Sequence, residues 1–168
     1  MSTPPNSDNP VLHLADLGAT QRLAEKLSGL AKIGDVIALA GPIGAGKTTF
    51  ARFFIAAAGC REEVPSPTFN LVQIYEETRP CIWHFDLYRL QHPDDVLELG
   101  MEQAFDEAVT LIEWPESLGD RLPTDRLLLT FRQGGSEGER DVEIDCGDRW
   151  LERIKDDEFF QGVVGAGS

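Results

Sequence analysis

The chain has 168 residues, with 15 Lys plus Arg against 29 Asp plus Glu and a formal net charge of −14. That length favours one domain with a core that needs no disulfide or structural metal. The acidity argues against this chain alone gripping a nucleic-acid backbone, and suits basic protein partners or simple solubility. Residues 1–10, rich in Pro, Ser and Asn, read as a disordered lead-in with no basic or apolar signal-peptide segment. Val11 to Leu14 suits a short strand. Thr20 can cap a helix whose apolar positions Leu23, Ala24, Leu27 and Leu30 follow the helical period. Val36-Ile37-Ala38-Leu39-Ala40 has the pattern of a buried parallel strand, and Thr49 to Ala58 has helix-forming composition that stops at Gly59.

Further along, Leu71 to Tyr75 and Cys81 to Phe85 read as two strands. Pro93 opens a helix through Val96, Leu97 and Leu99, closed at Gly100, and Met101 to Ala108 continues as a second short helix. Val109 to Ile112 is another buried strand. Asp125 to Phe131 and Arg140 to Ile144 bracket a glycine-rich turn, the mark of a hairpin. Trp150 to Phe160 suits a terminal helix, with 161–168 a flexible tail and 11–160 the single domain. Strands alternating with helices predict a three-layer α/β domain with a mainly parallel sheet and antiparallel additions. Cys60, Cys81 and Cys146 show no C-x-x-C spacing, so reduced thiols in the cytoplasm fit better than disulfides or zinc.

Between the strand at 36–40 and the helix after it stands Gly41-Pro42-Ile43-Gly44-Ala45-Gly46-Lys47-Thr48, which is G-x-x-x-x-G-K-T. Strand, glycine loop, helix is the setting of a phosphate-binding loop, and it makes the fold P-loop NTPase-like. Gly44 and Gly46 can take positive φ, which turns successive N–H groups inward as an anion nest beside a helix N-terminus. Lys47 is expected to reach the β- and γ-phosphates, and the Thr48 hydroxyl to ligate Mg²⁺.

Such a site needs an acid from a neighbouring strand end. Asp86 and Glu113 both qualify, and the pattern does not say which meets the metal. Thr68, in Pro65-Ser66-Pro67-Thr68, lies where GTPase-like proteins carry a segment sensing the γ-phosphate. His84 reads as a core or sheet-face histidine rather than a base. Trp83, Trp114, Phe69 and Tyr88 read as packing residues. No N/T-K-x-D string accompanies the loop, so adenine or weak base selectivity is expected.

These residues also form a larger pattern. Gly-x-x-Gly-Ala-Gly-Lys-Thr-Thr at 41–49, Ser66-Pro67-Thr68-Phe69, His84-Phe85-Asp86-Leu87-Tyr88-Arg89-Leu90, Glu113-Trp114-Pro115-Glu116 and Leu122-Pro123 together resemble the bacterial TsaE (YjeE-like) family over roughly residues 11–145. The resemblance implies a small ATPase required for threonylcarbamoyladenosine in tRNA. It would act on the TsaB–TsaD pair, with TsaC-type enzymes supplying the threonylcarbamoyl-adenylate, and touch tRNA only through that complex. It further implies Thr48 and Glu113 as Mg²⁺ ligands and Asp86 as a Walker-B-like acid beside the nucleotide. Gly41, Gly44, Ala45, Gly46, Lys47, Thr48 and Thr49 would wrap the phosphates, and Thr68 would belong to a switch-like segment. Catalysis would fall to Lys47, Asp86 and Glu113. The chain departs from the family at Pro42-Ile43, where Asp-Leu is usual, and Pro42 removes one N–H donor. The absence of an evident arginine finger predicts slow turnover that partners accelerate. A small-molecule kinase with Arg121 and Arg126 in a lid is the alternative enzyme. A scaffold that nucleotide merely stabilises is the non-catalytic one.

Overall fold

The computed structural model describes residues 9–61 and 71–160. Its strands are β1 (Val11–Leu14), β2 (Val36–Ala40), β3 (Val72–Tyr75), β4 (Ile82–Asp86), β5 (Val109–Glu113), β6 (Leu127–Gln133) and β7 (Arg140–Cys146). Its α-helices are α1 (Leu17–Leu30), α2 (Lys47–Ala57), α3 (Met101–Glu107) and α4 (Asp148–Ile154). The strands form one sheet in the order β1-β7-β6-β2-β5-β4-β3. Its centre, β6-β2-β5-β4, is parallel, while β3, β7 and β1 join antiparallel at the two sides. This is the expected parallel sheet with antiparallel additions.

The central strands are apolar in nearly every position because both faces are covered. On one face Ile37, Leu39, Leu111 and Leu129 pack with Phe50 and Phe54 of α2 and with Leu23 and Leu27 of α1. On the other face Val36, Phe85 and Ile112 pack with Met101 and Ala104 of α3. Neighbouring residues of one strand thus serve opposite layers, as the two-residue strand period requires. Burial of each such large side chain contributes roughly 1.5–3 kcal/mol.

Four local expectations change. The cap of α1 is Asp16, whose side chain accepts from Ala19 N at 2.8 Å, and Thr20 is buried one turn inside. A carboxylate at the N-terminus satisfies the free N–H groups and suits the helix dipole better than a hydroxyl further in. Helix α2 begins at Lys47 rather than Thr49, so Lys47 and Thr48 belong to its first turn. Pro93–Leu97 is a 3-10 turn rather than an α-helix. Gly100, at φ 81°, ends that connection and starts α3 before a longer helix can form. The terminal helix divides into α4 and a 3-10 turn at Glu158–Phe160, where Lys26 Nζ pairs with Asp157 at 2.7 Å.

Most of the expected lead-in and the whole tail, 161–168, lie outside the described residues. The carbonyl of Pro10 already joins the sheet, accepting from Ile144 N at 2.9 Å. Among the described residues no helix is long and apolar enough to cross a membrane.

None of the three cysteines forms a disulfide. Burial, helped by neighbouring Asp145, pushes the Cys146 thiol up to about 12. Since the thiolate is the reactive form, Cys146 is expected to resist iodoacetamide at pH 8 in native buffer and to label fully in denaturant. Peptide mass mapping of the two samples checks this.

Candidate nucleotide site

The parallel strands β2, β4 and β5 end side by side, and their carboxyl edge is where open α/β sheets bind ligands. Register fixes what stands there. Leu39 of β2 lies beside Glu113 of β5, and Asp86 of β4 lies beside Glu113 on the other side. The chain leaves β2 through the glycine loop and re-enters as α2.

The loop has the backbone that its glycines permit. Gly41, Gly44 and Gly46 all take positive φ, at 131°, 81° and 107°. At Gly41 a Cβ would stand 2.4 Å from the Phe131 carbonyl oxygen on β6, so only glycine fits between the loop and that strand. At Gly46 a Cβ would meet the Arg140 side chain, with Nε at 3.2 Å. The β6–β7 hairpin therefore lies against the loop, and Gln133 Nε2 also donates to the Gly44 carbonyl at 3.4 Å. Ala45 is fully buried, so only its main chain can take part in the loop's cradle.

Loop, acids and hairpin enclose a cavity of about 350 Å³. That size suits the phosphate and sugar end of a nucleotide in an open cleft. Gly44, Gly46, Lys47, Thr48 and Thr49 line one wall, and Asp86, Glu113, Trp114 and Tyr88 line the other. Ile43 and Arg140 complete the rim. The structure thus brings Lys47, Thr48, Thr49, Asp86 and Glu113 together as the sequence led one to expect. Gly41 contributes its carbonyl, which accepts from Lys47 Nζ. Thr68 and Phe69 lie outside the described residues.

The acids are not equivalent. Glu113 is 2% exposed, and its two oxygens are both engaged. Thr48 Oγ1 donates to Oε1 at 2.7 Å, and His84 Nε2 lies 2.7 Å from Oε2. Burial alone would raise the Glu113 carboxyl, but the hydrogen bond and charge of His84, then Thr48 and Lys47, outweigh it and hold it below the ordinary glutamate range. Asp86 moves the other way. Burial raises it, against a hydrogen bond from Tyr88 N at 3.1 Å. Glu113 is thereby biased toward its anion, and Asp86 holds a proton more readily than an ordinary aspartate. Opposite shifts in adjacent acids are how sites divide metal binding from proton handling.

A hard divalent cation fits this donor set. It takes hydroxyl and carboxylate oxygens, and Thr48 Oγ1 and Glu113 Oε1 already converge within hydrogen-bond distance. The phosphate groups fit the cradle of positive-φ glycines at the N-terminus of α2.

Some residues that shape the site escaped the sequence reading. Tyr88 is not a packing residue: it is 56% exposed, with its ring 4.9 Å from that of Trp114. Trp114 takes a left-handed backbone, φ 60° and ψ 52°, which turns its ring over Lys47 with Nζ 3.2 Å from the centroid. Burial lowers the Lys47 pKa, while the carboxylates of Glu113, Glu116 and Asp86 act in the other direction. His84 is a core histidine, as expected, but one that holds a site carboxylate. The alternation His84-Phe85-Asp86 was the available signal, since it puts His84 on the same sheet face as Asp86.

The matching family model is described as threonylcarbamoyl adenosine biosynthesis protein TsaE, and it covers residues 14–142. Three relatives bear the name tRNA threonylcarbamoyladenosine biosynthesis protein TsaE. The one from Nostoc sp. is 37% identical over 139 residues, 79% of this chain and 83% of the relative. The one from Bacillus subtilis is 35% identical over 124 residues, 73% of this chain and 77% of the relative. The one from Rickettsia felis is 44% identical over 98 residues, and the chain spans only 57% of that relative's length. The crystal structure of Bacillus subtilis YdiB superposes with a TM-score of 0.70 at 27% identity, covering 85% of this chain and 88% of that one. By model and by relatives alike, the chain belongs to the TsaE family of tRNA threonylcarbamoyladenosine biosynthesis proteins.

Proposed function

We propose that the chain binds Mg²⁺-ATP and hydrolyses it slowly, as the ATPase subunit that supports turnover of a TsaB–TsaD complex without performing the transfer to tRNA. The observation carrying this reading is the convergence of Lys47, Thr48 and Glu113 on one cavity beside the glycine loop. Main-chain N–H groups from Gly44 to Thr49 would cradle the phosphates, and the Lys47 ammonium would sit against the β- and γ-oxygens. Thr48 and Glu113 would hold Mg²⁺, which offsets negative charge on those oxygens when bound. Asp86, the acid with the raised proton affinity, would order the attacking water. The net charge of −14 leaves tRNA to the partners, and cysteines without disulfides suit a cytoplasmic home.

The kinase alternative needs arginines over the phosphates. Arg121 is paired with Asp94, and Arg126 with Asp145 at 3.1 Å; neither lines the cavity. Steady-state phosphate release tests the reading, with the chain alone and with purified TsaB–TsaD. Slow release by the chain alone and faster release with the pair are expected. Fast release in isolation, or phosphate transferred to a metabolite, would count against it.

A further inference from the structure

We propose that Arg140 is a second phosphate-binding cation of this site, reaching from the β6–β7 hairpin to the α/β side of the nucleotide rather than to its γ-phosphate. The inference rests on the nucleotide reading above.

Arg140 is the first residue of β7 and lines the same cavity as Lys47. Its stem lies on Gly46, the residue just before Lys47, and this contact exists because Gly46 carries no side chain. The guanidinium has no carboxylate partner among the described residues. Nη1 donates to the Glu139 carbonyl at 2.8 Å, and Nε is buried without an acceptor. In a chain with 29 acids against 15 bases, an arginine left without an acid beside a phosphate loop is unusual. A buried donor with no acceptor also calls for an explanation, and an anionic ligand in this cavity supplies one. Guanidinium N–H pairs match phosphate oxygens in geometry and charge.

Position decides which phosphate. Lys47, Thr48 and Glu113 define the metal and γ end. Arg140 touches the loop at Gly46 and makes no ion pair with Asp86 or Glu113 among the described residues. It therefore faces phosphates that ATP and ADP share. An arginine acting on the γ-phosphate would be needed for hydrolysis and not for ADP binding.

Titration calorimetry of Mg-ADP and of a non-hydrolysable Mg-ATP analogue checks this, with wild type, Arg140→Met and Arg140→Lys. The methionine keeps the stem over Gly46 and removes the charge. It is expected to raise both Kd values together, by about tenfold to a hundredfold, as loss of a charged hydrogen bond does. The lysine should recover part of the loss, and the ligand-free melting temperature should hold in both variants. Unchanged Kd values overturn the proposal, whether the variants melt lower (a brace for the hairpin) or only hydrolyse more slowly (a γ-phosphate finger). If wild type itself binds neither nucleotide, the underlying site assignment fails instead, and this inference with it.

Discussion

Replacing Lys47 by alanine is expected to erase the thermal stabilisation that Mg-ATP gives the wild-type chain. Lys47 is 4% exposed, and its ammonium donates to the Gly41 carbonyl and lies over the Trp114 ring. With nucleotide at about 100 times Kd, binding stabilises the native state by ~2.7 kcal/mol. For a domain of this length that is a melting shift of roughly 5–10 °C. Without Lys47 the loop amides and Arg140 remain, but the ammonium expected to span the β- and γ-oxygens is gone. Thermal shift with Mg-ATP, Mg-ADP and Mg-GTP reads the loss and, in wild type, the base preference. Retention of the full shift by the variant would mean that nucleotide binds elsewhere.

Substitution of Glu113 has the second large effect, and it separates stability from chemistry. Glu113→Ala leaves His84 Nε2 and Thr48 Oγ1 without their shared acceptor in a buried setting. Loss of one member of such a buried pair costs about 3 kcal/mol, and the ligand-free chain should melt roughly 6–12 °C lower. Glu113→Gln keeps the shape and an acceptor, so its melting temperature should fall less. Both variants should lose about 10²-fold or more in metal-dependent hydrolysis, because a neutral side chain is a poor ligand for a hard cation. Hydrolysis by Glu113→Gln within a few-fold of wild type would remove Glu113 from the metal site. The pair also sets a pH dependence. The folded carboxyl titrates below its ordinary 4.5, so its stabilisation is complete above that value and is lost as pH falls through the lower folded pKa. A melting curve against pH should therefore fall on the acid side, and fall less steeply in Glu113→Gln.

Local chemistry made the loop legible in sequence. Glycines, lysine and threonine at fixed spacing after an apolar run specify one backbone, and the structure has it from Gly41 to Thr48. The acids were legible as strand ends, since Phe85-Asp86 and Ile112-Glu113 each follow a buried run. Their division of labour was not. It depends on His84 and Thr48, which are 29 and 65 residues from Glu113 in the chain and meet it only through the sheet register. Arg140 was invisible for the same reason: nothing in a hairpin strand marks which side chain will lie on a distant glycine. Trp114 packs against the layer of Val36 and Ile112 as expected, while Tyr88 departs from the usual inward packing of aromatic residues next to strands. Here the left-handed backbone at Trp114 turns that ring toward the cavity. The cap of α1 was misplaced because Leu17-Gly18-Ala19 lacks the apolar period that begins at Leu23.

The loop between β2 and α2 is expected to grasp the nucleotide's phosphates, and a structure of the wild-type chain with Mg-ADP tests that most directly. The β-phosphate should lie within about 3 Å of main-chain N–H groups between Gly44 and Thr48, with the cation on Thr48 and Glu113 facing it. A nucleotide lodged in another cleft, with the loop closed on itself, would contradict it.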